Sequence, residues 1–239
     1  MHIGILETGK LPGLLEQMFG NYSAMFSNLL SQLKIDYTIT TYEVTKFQLP
    51  DNPKAADFWL ITGSSFGVYD NLTWIADLKN FVQEVIENKV RLLGVCFGHQ
   101  ILAEAMGGSV EKSNKGWGVG VHKYYKTCDT IWAERLGKSF TGYASHQDQV
   151  IIPPKNSISI YGSKFCPHSV LAYGNQDKPS AISIQSHPEF SKECLKAIIN
   201  RRIGKTLPRA VGEKGLKSLN QDPKNLEVFR ALLEALNIT

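Results

Sequence analysis

Arg91-Leu92-Leu93-Gly94-Val95-Cys96-Phe97-Gly98, running on through His99-Gln100-Ile101-Leu102-Ala103-Glu104-Ala105-Met106, is the stretch that decides the fold. An apolar run ends in a cysteine held between two glycines, and a helical apolar pattern follows. This is the strand–turn–helix elbow that presents a nucleophile, with sulfur in place of a hydroxyl. A strand turning sharply into a helix forces its middle residue into a strained backbone conformation. Side chains at the flanking positions would collide there, so Gly94 and Gly98 keep them clear. The turn places Cys96 at a carboxyl strand edge, where open α/β sheets put their ligands. It also places the sulfur at the positive end of a helix, which stabilises an anion.

A nucleophilic cysteine needs a base and a group that orients the base. The histidines are His2, His99, His122, His146, His168 and His187. The best placed closes Ser180-Ala181-Ile182-Ser183-Ile184-Gln185-Ser186-His187-Pro188-Glu189-Phe190. Ile182 and Ile184 alternate with Ser183 and Gln185, which predicts a strand with one buried and one less apolar side. Pro188 stops that strand. His187 and Glu189 then leave its end together, and a carboxylate there can hold the imidazole in one tautomer and stabilise the imidazolium. Catalytic candidates are therefore Cys96, His187 and Glu189, in that order along the chain.

Outward from these segments, strands and helices alternate, which predicts a parallel sheet covered on both faces. His2 to Leu6 reads as the first strand. Tyr22, Phe26, Leu29, Leu30 and Leu33 fall at helical spacing behind a capping Asn21. Tyr37 to Tyr42 and Phe58 to Ile61 read as strands. Trp74, Leu78, Phe81, Val82, Val85 and Ile86 form one helix face, and Gly107-Gly108 ends the helix after the elbow. Residues 109–174 hold short strand-like pieces, and 191–203 look helical. Residues 204–221 read as a polar connector, and Asp222-Pro223 opens a last helix with Leu226, Phe229, Leu232, Leu233 and Leu236 on one face. The expected organisation is one domain over 1–203 and a basic extension over 204–239, its terminal helix packed back on the domain.

Composition fits a single α/β domain: 239 residues, with a net charge of +4. Residues 201–239 carry eight Lys/Arg against four Asp/Glu, so the excess sits in this tail. No basic stripe interleaved with aromatics points to nucleic acid, and no apolar stretch approaches the roughly 20 residues that span a bilayer. Met1-His2-Ile3 enters the first strand with no charged-then-apolar leader before it. The four cysteines (Cys96, Cys128, Cys166, Cys194) include no C-x-x-C pair, so neither a zinc ribbon nor a disulfide framework is expected, and a reducing cytoplasm is the simplest setting. Cys128, Cys166 and Cys194 read as inert thiols. Cys166-Pro167-His168 lacks the companions of a metal site.

Gly94-Val95-Cys96-Phe97-Gly98-His99-Gln100 followed by His187-Pro188-Glu189 resembles the glutaminase domain of class I (triad) glutamine amidotransferases. Ile61-Thr62-Gly63-Ser64-Ser65-Phe66-Gly67-Val68-Tyr69-Asp70 is similar to the glycine-rich oxyanion strand of GMP-synthase-type members, and Ser145-His146-Gln147-Asp148-Gln149-Val150 to their short His-x-Asp segment. The four segments span residues 61–190 in the family's order. One departure is that Ser64 and Ser65 follow Gly63, where the family often has a second glycine and a proline.

The resemblance implies a three-layer α/β/α, flavodoxin-like, mostly parallel sheet with a nucleophile elbow. It implies that the Cys96 thiolate attacks the side-chain amide carbon of L-glutamine while His187, oriented by Glu189, moves the protons. Backbone N–H groups of Gly63, Ser64 and Phe97 would form the oxyanion hole. Gln100 would face the amino-acid head group, with His146 and Asp148 near the pocket wall. His99 would be structural, and Trp117, in a loop the family folds toward the site, a minor candidate. No cofactor or metal is implied.

The expected activity is glutaminase, the ammonia going to a separate synthase, since the chain shows no pyrophosphatase loop or ATP site. One alternative is a stand-alone γ-glutamyl hydrolase using the same triad, and another is a non-catalytic interaction protein. An α/β-hydrolase usually sets its acid before its histidine in sequence, and flavodoxin-like cysteine hydrolases often have histidine directly after the nucleophile, where this chain has Phe97.

Overall fold

A computed structural model describes residues 1–238. The chain runs β1 (His2–Glu7), α1 (Leu14–Phe19), α2 (Tyr22–Gln32), β2 (Thr38–Glu43), β3 (Phe58–Ile61), α3 (Thr73–Glu87), β4 (Arg91–Val95), α4 (Phe97–Ala105), β5 (Ser109–Lys112) and β6 (Gly118–Lys126). It continues through β7 (Ser139–His146), β8 (Asp148–Ile152), β9 (Ser157–Gly162), β10 (Val170–Gly174), β11 (Pro179–Ile184), α5 (Lys192–Arg202), α6 (Arg209–Ser218) and α7 (Asn225–Ala235).

Nine strands form one sheet in the order β2-β1-β3-β4-β11-β10-β9-β6-β7, and β5 pairs with β8 apart from it. From β2 to β11 every neighbouring pair is parallel. From β11 to β7 every pair is antiparallel. Strand β9 joins β6 over only two residue pairs, Tyr125↔Gly162 and Lys126↔Tyr161. The β6–β7 hairpin can therefore turn out of line with the sheet, and its Tyr143 carbonyl accepts the His187 N–H at 2.8 Å, beyond the end of β11.

The apolar runs of the parallel strands are buried on both faces, as a sheet covered by two helical layers requires. On one face Ile3, Ile5, Phe58 and Leu60 pack with Phe26 and Leu30 of α2 and with Phe229, Leu232 and Leu233 of α7. On the other, Trp59, Ile61 and Leu92 pack with Leu78 and Phe81 of α3 and with Ile101 and Leu102 of α4. The result is a three-layer α/β/α arrangement. Asn21 caps α2, its Oδ1 accepting the Ala24 N–H at 2.9 Å. No helix among the described residues is long and apolar enough to cross a membrane.

Three sequence expectations change. Residues 204–221 contain α6, not only a polar connector: Gly215 sits against Val119 of β6, and Ser218 Oγ accepts the Val121 N–H at 2.8 Å. A helix with two glycines and three cationic residues among its ten offers few apolar side chains, so its packing comes from close approach. The last helix begins at Asn225, later than Asp222-Pro223. The less apolar side of β11 is as buried as the other, for Ser183 and Gln185 are both fully covered. Those polar side chains meet polar residues of α4 instead of solvent.

Candidate active site

The site grows from the carboxyl ends of three adjacent parallel strands. Strand β3 runs into Gly63 and Ser64, β4 into Cys96, and β11 into Gln185, His187 and Glu189. Between β4 and β11 the register pairs Val95 with Ile184, and the Cys96 N–H donates to the Ile184 carbonyl at 2.9 Å.

Cys96 has φ 53° and ψ −99°, a left-handed conformation that a residue with a side chain rarely adopts. The flanking glycines make it attainable. A Cβ on Gly94 would lie 2.3 Å from the Gly98 carbonyl oxygen, and one on Gly98 would lie 2.4 Å from that of Ile61. Cys96 is also the residue that precedes α4, so its sulfur stands at the start of that helix.

His187 Nδ1 and Glu189 Oε1 are 2.7 Å apart, and both side chains are almost completely buried. That contact occupies Nδ1, and the Cys96 thiol borders the same cavity as the imidazole. The ring lies flat on Phe190, with centroids 4.1 Å apart and planes within 5°. Burial opposes the imidazolium, but the negative charges of Cys96 and Glu189 outweigh it and hold His187 well above the ordinary imidazole value. Thiol, imidazole and carboxylate are thus gathered at one sheet edge, with the carboxylate on the Nδ1 side of the ring.

The Gly63–Ser64 segment is clamped from β1's end. Thr8 Oγ1 lies within hydrogen-bond distance of the Thr62 and Gly63 carbonyls at 3.1 and 3.2 Å, and Ser64 Oγ donates to the Thr8 carbonyl at 2.7 Å. In a trans peptide the N–H points opposite the carbonyl. With the Gly63 carbonyl turned to Thr8, the Ser64 N–H therefore points away from it. Among the described residues no protein acceptor engages that N–H or the N–H of Phe97. A Cβ on Gly63 would sit 3.1 Å from His187 Cε1 and 3.7 Å from Cys96 Cβ, so this backbone borders both candidate side chains.

Gln100, His146 and Asp148 come together as well. Gln100 Nε2 donates to the Asp148 carbonyl at 2.8 Å and to Gln185 Oε1 at 3.2 Å. His146 Nδ1 is 3.1 Å from that same carbonyl. Burial pushes the His146 imidazole down to about 3, so it is neutral, and its Nε2 has no partner among the described residues. Tyr69 donates its hydroxyl to the Asp148 carboxylate at 3.0 Å. His99 stays apart, buried beneath the site with Nδ1 2.7 Å from Ser183 Oγ.

Sequence reasoning missed four contributors. Gln185 donates from Nε2 to Cys96 Sγ at 3.6 Å, and its position two residues before His187, just past the end of β11, was the available signal. Phe190 supports the imidazole, and Thr8 fixes the Gly63 loop. Arg202 donates to Ser145 Oγ at 3.1 Å and lies over the Trp117 ring at 5.4 Å. The last three act through tertiary contacts that no local pattern announces. Cys166 and Cys194 are buried, and burial pushes both thiols up to about 12. Among the described residues no three His, Cys, Asp or Glu side chains converge as a metal site.

Two cavities meet at Cys96. One, of about 340 Å³, is bordered by Gln100, His146, Asp148, Tyr69 and Trp117. The other, of about 270 Å³, is bordered by His187, Tyr22, Phe190 and Ile198. Ser64, Ser145 and Arg202 border both.

Known proteins share this sequence pattern and this fold. The family described as glutamine amidotransferase class-I matches residues 17–203. A γ-glutamyl peptidase 5 of Arabidopsis thaliana is 27% identical over 196 residues, covering 79% of this chain and 75% of that protein. One component of a glutamine-hydrolysing GMP synthase from Methanococcus aeolicus is 27% identical, covering 72% of this chain and 85% of that one. Among solved structures, a glutamine amidotransferase from Thermotoga maritima superposes with a TM-score of 0.78 at 16% identity, covering 100% of this chain and 99% of its own.

Proposed function

Because the chain belongs to the class-I glutamine amidotransferase family, we propose that it hydrolyses the amide of a γ-glutamyl group through Cys96, His187 and Glu189. One observation carries this reading: a strained cysteine at a strand end faces an imidazole whose other nitrogen is held 2.7 Å from a buried carboxylate. The γ-glutamyl moiety occupies the cavity bordered by Gln100, His146 and Asp148. The Cys96 thiolate attacks the amide carbon, forming a C–S bond and a tetrahedral oxyanion that accepts the Ser64 and Phe97 N–H groups. Such donors contribute about 3 kcal/mol each to transition-state stabilisation. Collapse breaks the C–N bond as imidazolium His187 protonates the departing amine. Neutral His187 then takes a proton from water, whose oxygen attacks the thioester, releasing glutamate and restoring the thiolate–imidazolium pair.

Space on the His187 side of Cys96 favours a substrate with a substituted amine, and this agrees with relatives named γ-glutamyl peptidase. A second reading is a glutaminase that passes ammonia to a separate synthase, and relatives named as components of GMP synthase favour it. Release of glutamate and ammonia from L-glutamine, measured beside glutamate release from a γ-glutamyl dipeptide for wild type and Cys96→Ala, separates them. We expect dipeptide turnover to exceed glutamine turnover and to fall at least about 10³-fold in Cys96→Ala. Slow, Cys96-dependent hydrolysis of glutamine alone supports the second reading, and activity unaffected by Cys96→Ala sinks both.

A further inference from the structure

We propose that the 270 Å³ cavity bordered by His187 is a leaving-group site that selects amines carrying an apolar body and an anionic group such as a carboxylate. This inference rests on the γ-glutamyl hydrolase reading. Direction comes first. The group that protonates the departing nitrogen must face it, and His187 borders this cavity but not the one that holds Gln100, His146 and Asp148. With the glutamyl chain on the Asp148 side of Cys96, the amine leaves toward His187.

The lining then states the chemistry. Leu11 before α1, Leu15 of α1 and Ile198 of α5 line the cavity, and Tyr22 and Phe190, packed with them, complete an apolar wall. Ammonia alone has no use for such a wall. Four cations border the same cavity, Lys10, Arg201, Arg202 and Lys205, with no Asp or Glu among its lining residues. The neighbouring cavity, by contrast, carries both Asp70 and Asp148. Lys10 is engaged by Glu43 at 3.0 Å, and Arg202 donates to Ser145. Arg201, in the last turn of α5, and Lys205, in the turn that follows it, are exposed and have no carboxylate partner among the described residues. An anion entering between them finds unpaired positive charge beside a low-dielectric wall, where a charge-assisted hydrogen bond is strong.

The test compares γ-glutamyl-leucine with γ-glutamyl-leucinamide, which differ only in the anion, on wild type and on the double variant Arg201→Gln/Lys205→Gln. One charged hydrogen bond corresponds to about tenfold in kcat/KM. Wild type is expected to favour the carboxylate by at least about that factor, and the double variant to bring the ratio close to one. No preference in wild type, or the same preference in both proteins, overturns the proposal. The ratio is insensitive to a general loss of active protein. If wild type cleaves neither compound, the hydrolase reading itself fails, and calorimetric binding of N-acetyl-leucine against its carboxamide decides the cavity separately. Tighter binding of the anion by wild type that the double variant loses upholds the site. Equal or no binding of the two overturns it.

Discussion

His187 shows how its neighbours determine a side chain's charge. Its imidazolium persists above the usual range because Cys96 and Glu189 supply negative charge that outweighs burial. Since the folded-state pKa is raised, this charge contributes stability that is complete below the ordinary value of 6.5 and is lost as pH rises through the raised one. The alkaline limb of kcat/KM should therefore lie well above neutrality. Glu189→Gln removes one of the two negative charges, so that limb should move toward neutral pH, with kcat falling on the order of 10²- to 10³-fold. A pH–rate profile with an unmoved alkaline limb would refute the role given to Glu189. These residues are legible in sequence because glycines and a proline punctuate them: Gly94 and Gly98 around Cys96, and Pro188 between His187 and Glu189. Phe190 and Arg202 carry no such punctuation, and only the fold brings them to the site.

Elements differ in how openly they declare themselves. Strand β4 and helix α4 are readable because their turn requires glycine on both sides. Strand β11 is readable too, but its alternation suggests a less apolar face for Ser183 and Gln185. In the folded protein they are buried against His99 and Gln100 of α4, a polar seam between strand and helix. Alternation in a sequence shows that two faces differ, not that one of them is wet. Helices α1 and α6 are short, and glycines flank the first and interrupt the second, so neither announces itself in the sequence. The end of β1 holds another contribution without a motif, since Thr8 clamps the backbone that follows β3. Thr8→Val should lower kcat about tenfold with little change in KM, because it loosens a donor of transition-state charge rather than the glutamyl pocket. Stability should fall by about 1–2 kcal/mol. Thr8→Ser should restore kcat, and equal losses in both variants would count against the clamp.

At the scale of the whole molecule, the parallel half of the sheet supplies every side chain proposed to be catalytic, and the antiparallel half supplies support. That division follows from the resemblance only in outline, because residues 109–174 show many short strands without their pairing. Helix α7 packs against α2 in the core on one face of the sheet, with the Phe26 and Phe229 rings 5.9 Å apart, and its first residue, Asn225, donates to the Phe190 carbonyl at 3.1 Å. Phe229 is fully buried there. Phe229→Ala should cost about 3–5 kcal/mol, read as a lower urea midpoint at unchanged m-value. A loss below about 1 kcal/mol would show that α7 is dispensable to the core. The hydrogen bond from His187 to the Tyr143 carbonyl has a kinetic corollary. It joins residues 44 apart in the chain, and α2 meets α7 across most of the sequence. Pairings so distant close late, because loop entropy must be lost before they return any stability. During refolding from denaturant the helices and the α4 turn can form early, yet the thiol gains its base only once these far-separated strands have docked. Recovered turnover is thus a clock for the slowest pairing in the sheet.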